Sequence, residues 1–273
     1  MYDGVSLSDG HQRATGELRV SVKRRGDQSV LDGLRQAGCL KARFPRALSA
    51  GWCDATMVNT SGGVAGGDRL STTIAAGEGA RLVVAAQAAE RFYRALPGSV
   101  SRVRTAVTVG PDAAMEWLPQ ETILFDGCAL DRQLTVDVAP GASFLGVETL
   151  VFGRTAMGER VVIADLRDLI RVHRGRELLL HDAIRLEGEV DSVLAHPAVA
   201  DGGRVVSTIV YVAPEAEARL DAVRDGADLA ASAWNGMLVA RLVTADSAAA
   251  RRTVMAALSV LRDGRPLPRA WSC

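Results

Sequence analysis

The chain has 273 residues, with 32 Lys and Arg balanced by 32 Asp and Glu. That balance excludes a general nucleic-acid binder and a polybasic membrane-surface protein, both of which need a basic surplus to meet anionic phosphates. A hydrophobic share of 48% with 23% charged residues is the composition of a folded protein, not of a disordered one.

Strand signals dominate from Leu18 onward. Leu18, Val20 and Val22 alternate with Arg19, Ser21 and Lys23, the period of a half-buried strand. Short runs of the same kind follow at 70–76, 80–86, 101–109, 113–119, 132–139, 143–152, 159–166, 167–174, 177–186 and 205–213. Turn signals such as Gly110-Pro111-Asp112 and Pro140-Gly141 separate them. Strands in this density, with almost no helical segment between them, predict an all-β sandwich, barrel or solenoid rather than βαβ units. No strict repeat is visible, so periodicity alone does not select the solenoid.

The last quarter differs. Residues 214–232 open on Pro214 and acidic residues and carry Leu220 and Val223, which predicts a helix. Residues 237–243 read as a strand. A second helix is predicted over 246–264, with Asp246 or Ser247 as cap and Val254, Ala257, Leu258 and Leu261 on one face. No linker composition marks a boundary. The expectation is one domain over 1–273: a strand-rich body (1–213), two helices flanking a strand (214–264) and an extended tail (265–273).

The four His and four Cys are scattered, and none stands in C-x-x-C, H-x-x-x-H or H-E-x-x-H spacing. This speaks against a sequence-local zinc finger, an iron–sulfur motif and a zincin. Reduced thiols, a polar N-terminus without an apolar signal core, and no uncharged run approaching the roughly 20 residues of a membrane helix predict a soluble cytoplasmic protein.

Several segments invite function. Asn59 to Asp68 holds two glycine pairs, Gly62-Gly63 and Gly66-Gly67. It lacks the Gly-Lys-Ser/Thr of a phosphate loop, and Asp68 would repel phosphate. On the residues alone it reads as a turn between strands, with Asp68 capping backbone N–H groups. Gln87 to Arg94 ends an apolar strand in Arg91, Tyr93 and Arg94. These residues either pack on a neighbour or form a partner surface, since Tyr and Arg are frequent interface anchors. Glu116 and Glu121 flank Pro119 and Gln120; they are either an acid–base pair or solvated and backbone-bonded carboxylates. Glu148 lies in the apolar run Phe144–Phe152. It is either on a solvated face or buried, and a buried Glu148 needs a cation, a donor or a proton. His181 and Asp182 are strand neighbours that point to opposite faces, and there is no nucleophile elbow, so a hydrolase site is not expected.

Asn59-Thr60-Ser61-Gly62-Gly63-Val64-Ala65-Gly66-Gly67-Asp68 resembles the glycine-rich block of the urease accessory protein UreD (UreH) family. Four further blocks are similar to that family in the same order. They are Gln87–Arg94, Glu116–Ile123, Gly153-Arg154 with Gly158-Glu159, and the closing Leu267-Pro268-Arg269-Ala270-Trp271. Two departures are small: Glu90-Arg91 stands where the family usually has Thr-Lys, and Ala65 where it has Val.

The resemblance implies a β-helix-like, strand-dominated protein with a pair of helices near the C-terminus. It implies a non-enzymatic scaffold that binds apo-urease together with UreF and the GTPase UreG. Such a scaffold conveys nickel to the urease active site through an internal tunnel. Nickel would be transient cargo, with no tightly bound cofactor and no tight metal site. Imidazole and thiolate hold Ni²⁺ strongly, whereas a relay needs weaker carboxylate, carbonyl and water ligands. By motif position, Asp68, Glu148 and Asp182 fall where the family places acidic tunnel residues. The other motif residues are expected to be structural or to face partners. A purely structural adaptor that never contacts nickel is the alternative.

Overall fold

The computed structural model describes residues 13–154 and 157–272. The chain winds as a solenoid of strands. On one side β4 (Cys53–Asn59), β6 (Arg81–Ala86), β9 (Ala114–Leu118) and β12 (Ser143–Phe152) stack in parallel. On the other side β1 (Thr15–Arg25), β5 (Arg69–Ala76), β8 (Ser101–Val109), β11 (Ala129–Val138) and β13 (Ile163–Arg174) do the same. From β4 to β13 the chain alternates between the stacks, so each coil contributes one strand to each. A short third side joins them: Val64, β7 (Glu90–Phe92), β10 (Thr122–Leu124) and the last residues of β12 form their own parallel ladder.

Antiparallel strands close the ends. β2 (Gln28–Gly38) folds back on β1, β3 (Leu40–Arg43) on β4, and β14 (Glu177–Glu189) on β13. Beyond β12 lie β15 (Val205–Val212), β17 (Met237–Thr244) and β16 (Ala230–Trp234), all antiparallel. Among the described residues this makes a seven-stranded and a ten-stranded sheet.

The two sheets have different sequence textures because their surroundings differ. In the seven-stranded sheet one face meets solvent, so β5 alternates: Leu70, Thr72, Ile74 and Ala76 are buried, while Arg69, Ser71 and Thr73 are exposed. The ten-stranded sheet is covered twice. Its inner face meets the other sheet, and its outer face carries α2 (Leu220–Gly226) and α3 (Ser247–Leu261), so β12 is buried from Phe144 to Phe152. Phe144, Leu150 and Phe152 belong to the inner core, and Leu145 and Val147 to the layer under the helices. Strand parity therefore aims Glu148 inward.

The predicted helix at 246–264 forms as α3, with the Asp246 side chain accepting from the Ala248 N–H at 2.8 Å. The first predicted helix is shorter than 214–232. A 3-10 turn at Glu217–Arg219 leads into α2, where Val223 is the buried side chain, and Ala230–Trp234 instead pairs with β17. One buried position supports barely a turn of helix, while β17 offers an open edge. The separate strands expected at 159–166 and 167–174 are one strand, because Ala164, Leu166, Asp168, Ile170 and Val172 keep a single inward phase. β2 was not legible: its positions are mostly exposed and lack alternation. A short helix α1 (Val190–Ala195) was also not anticipated, and the tail includes a 3-10 turn at Arg269–Trp271. Among the described residues no helix is long and apolar enough to cross a membrane.

Candidate functional site

The segments 60–63, 87–89 and 119–121 occupy the same corner of successive coils, between the ten-stranded sheet and the third side. Three motif blocks far apart in sequence are thus stacked in space. Behind them lies a cavity of about 260 Å³. Gly62, Gln87, Ala88 and Arg91, all exposed, form its mouth, and the buried Arg132 and Glu148 form its floor. At the rim the Asn59 amide donates to Glu90 at 2.9 Å, and its carbonyl oxygen accepts from the Ser61 N–H. Burial pushes the Glu90 carboxyl above its usual range, against the pull of the Asn59 bond. Gly63 has φ +143°, and a Cβ there would sit 2.4 Å from the Tyr93 ring, whose hydroxyl donates to the Gly62 carbonyl.

The floor is a buried ion cluster. Arg132 donates from Nε and Nη2 to the two oxygens of Asp168, both at 2.7 Å. Its Nη1 donates to Glu148 Oε2 at 2.6 Å and to the Thr122 hydroxyl at 2.8 Å. The remaining Glu148 oxygen accepts from Trp117 Nε1 at 2.8 Å. Burial pushes the Glu148 carboxyl up, with Arg132 opposing the shift. Burial also works against the Arg132 charge, but the two carboxylates outweigh it and hold the guanidinium above its ordinary range. Glu148 thus has the cation, the donor and the tendency to hold a proton that burial demands.

Beyond this floor is a second, much smaller cavity of about 10 Å³, lined by Glu148, Asp168, Asp182, Val206 and Thr208 among others. Asp182 is partly buried and pairs with Arg241 of β17. Glu148 is therefore the wall shared by the two cavities, and Asp182 stands on the far side. Asp68 lines neither. Its two oxygens accept the N–H groups of Ala14 and Ala65, each at 2.8 Å, which tie β1 to the glycine-rich turn. Next to it, a Cβ on Gly66 would lie 2.4 Å from the Ser99 carbonyl oxygen.

The remaining motif residues fall into two places. Glu116 points away from the cavity, under the helices: Arg262 Nε donates to it at 2.9 Å and Arg265 also pairs with it. Nearby, Arg251 of α3 donates to Gln120 at 2.7 Å, to Glu121 at 2.8 Å and to the Trp271 carbonyl at 3.0 Å. Trp271 Nε1 donates to the Leu118 carbonyl at 3.0 Å. Glu116 and Glu121 are thus engaged by different arginines and share no site. Pro119 sits at the corner with Gln120. On the third side, Arg154 lies 4.5 Å over the Phe125 ring and donates to Glu159 at 2.6 Å, Tyr93 stacks obliquely on Phe125, and Arg94 pairs with Asp126. Gly153 (φ +83°) and Gly158 (φ +69°) both take left-handed backbone conformations.

Thr60 donates to the Cys39 carbonyl, and Gly67, like Gly62 and Gly63, has positive φ. Sequence reasoning missed Arg132, Asp168, Arg251 and Arg262. A signal existed for the first two: each keeps the inward phase of its strand, Arg132 with Leu130 and Leu134, Asp168 with Leu166 and Ile170. Among the described residues no three His, Cys, Asp or Glu side chains converge on a metal position.

The sequence profile of the UreD urease accessory protein matches residues 14–272. The chain belongs to the UreD urease accessory protein family. It is 42% identical over 266 residues to the urease accessory protein UreD of Azorhizobium caulinodans, covering 96% of this chain and 97% of that one. The UreD proteins of Methylobacterium sp. strain 4-46 (43% over 271 residues, 95% of each chain) and Roseobacter denitrificans (44% over 262 residues, 95% of each chain) are similarly close. Membership of this family supports a role in urease maturation.

Proposed function

We propose that this protein is a non-enzymatic, cytoplasmic maturation factor that binds apo-urease together with UreF and the GTPase UreG. In that assembly it conveys nickel toward the urease active site. The observation that carries this reading is the pair of interior cavities meeting at Glu148, with Asp182 beyond. A carboxylate path of this kind binds a divalent ion weakly enough to release it. GTP hydrolysis belongs to the partner, since this chain has no phosphate loop. Asp68 enters as a third path residue from motif position, although both its oxygens are held by backbone N–H groups.

The test is co-expression with urease and the other accessory proteins. Glu148→Tyr fills the junction, and Glu148→Ala and Asp182→Ala remove carboxylates. Each is expected to slow urease activation while pull-downs show the complex intact. Wild-type activation in the Glu148→Tyr and Asp182→Ala variants would instead favour an adaptor that holds partners without contacting nickel. Asp68→Ala separates the roles of that residue. If it acts through the turn, loss of activation tracks loss of thermal stability; if it acts on the ion, activation falls with stability unchanged.

A further inference from the structure

The junction between the cavities is occupied by a side chain. Arg132 lines the first cavity, Asp168 the second, and Glu148 both. Every carboxylate oxygen of Glu148 and Asp168 already accepts an N–H, three of the four from Arg132. While the guanidinium is in place, its positive charge and bulk stand between these oxygens and an arriving cation. The second cavity, about 10 Å³, is at the lower bound for one water, so a hydrated ion cannot cross with the side chains where they stand.

We infer that Arg132 is a gate: its guanidinium occupies the position between Glu148 and Asp168 that a divalent cation takes in transit, and must swing away to let the ion pass. This deepens the nickel-path reading above and rests on it. Charge favours the exchange. One guanidinium brings a single positive charge to two carboxyl groups, whereas a doubly charged ion can balance both as carboxylates. Space favours it too. The first cavity gives Arg132 room, and Thr122, which lines that cavity, already holds one of its N–H groups. The same competition keeps retention short. Any ion bound at the junction has displaced a bidentate ion pair that re-forms when the arginine returns.

The experiment uses the full-length chain co-expressed with urease and the accessory proteins. It reads partner pull-down, nickel(II) retained after desalting, and urease activation rate. Arg132→Met keeps bulk but removes the competing cation. It is expected to raise retained nickel and lower the activation rate, each by about tenfold or more, the scale on which groups bonded to metal-ligating carboxylates tune a site. Arg132→Lys keeps the charge without the fork and is expected to fall between. Should Arg132→Met fail to fold, Arg132→Lys and the neutral triple variant Arg132→Met/Glu148→Gln/Asp168→Asn carry the test. The triple variant is expected to assemble, retain no nickel and activate slowly. Wild-type nickel retention and wild-type activation in Arg132→Lys or Arg132→Met, with Glu148→Tyr still blocking activation, would overturn the gate and leave the path standing. Wild-type activation by Glu148→Tyr within an intact complex would overturn both.

Discussion

The pair that locks the C-terminal helix to the solenoid should be the most sensitive charged contact outside the cavity. Arg262 caps the C-terminus of α3 and is 2% exposed; Glu116 of β9 is 3% exposed. Arg262 also donates to the Arg265 carbonyl, and Arg265 stacks 4.1 Å over Trp52. Replacing Glu116 by Ala strands Arg262 in a dry layer, for which the expected loss is about 3–5 kcal/mol. In a chain of this size each kcal/mol lowers the melting temperature by about 2–4 °C, so the shift should be roughly 6–20 °C. The double variant Glu116→Leu/Arg262→Met removes both charges. It should recover most of the loss, because apolar replacement of a buried ion pair is commonly neutral or stabilising. Thermal unfolding followed by circular dichroism measures both, and limited proteolysis reports release of α3. A Glu116→Ala variant melting within about 2 °C of wild type would refute the reasoning. A double variant as unstable as the single would do so too.

Gly66→Ala places a methyl against the Ser99 backbone carbonyl, which cannot rotate aside; thermal unfolding should show a loss of about 1–3 kcal/mol. Trp271→Ala removes a buried ring, its bond to Leu118 and the Arg251 stack, and should cost about 3–5 kcal/mol in a denaturant titration. The N–H groups of Ile163 and Val162, with Arg94, hold the Asp126 carboxyl below its usual range. A depressed folded value means its stabilisation is present above the unfolded value, about 3.9, and is lost as pH falls through the folded one. Hydrogen exchange at Val162 and Ile163 should therefore accelerate on acidification in wild type relative to Asp126→Asn; equal acid sensitivity in the two refutes that linkage.

Much of the molecule is readable from its residues. Alternation in β5, β11 and β13 announces strands with one wet face, and the unbroken apolar run of β12 announces a strand covered on both. Asp246 and the Val254–Leu258–Leu261 stripe define α3, and the five motif blocks define the family. Parity alone even places Arg132 and Asp168 inside. These features are local: they depend on which face of an element a side chain occupies, and the sequence period states that directly.

Which inward residues meet depends on which strands become neighbours, and only the tertiary structure decided that. Arg132 faces Asp168 because β11 and β13 are adjacent in register, and it reaches Glu148 because β12 crosses from the opposite sheet. Glu116 finds Arg262 across more than half the chain. The coils opened by Cys53, Arg81, Ala114 and Ser143 are unequal in length, so no repeat in the sequence reveals that 60–63, 87–89 and 119–121 share a corner. Apolar stacking tolerates such irregular spacing, since an inward position needs only to be apolar and of suitable size. A buried guanidinium does not: it holds its place here because two carboxylates and a hydroxyl arrive together from three separate strands.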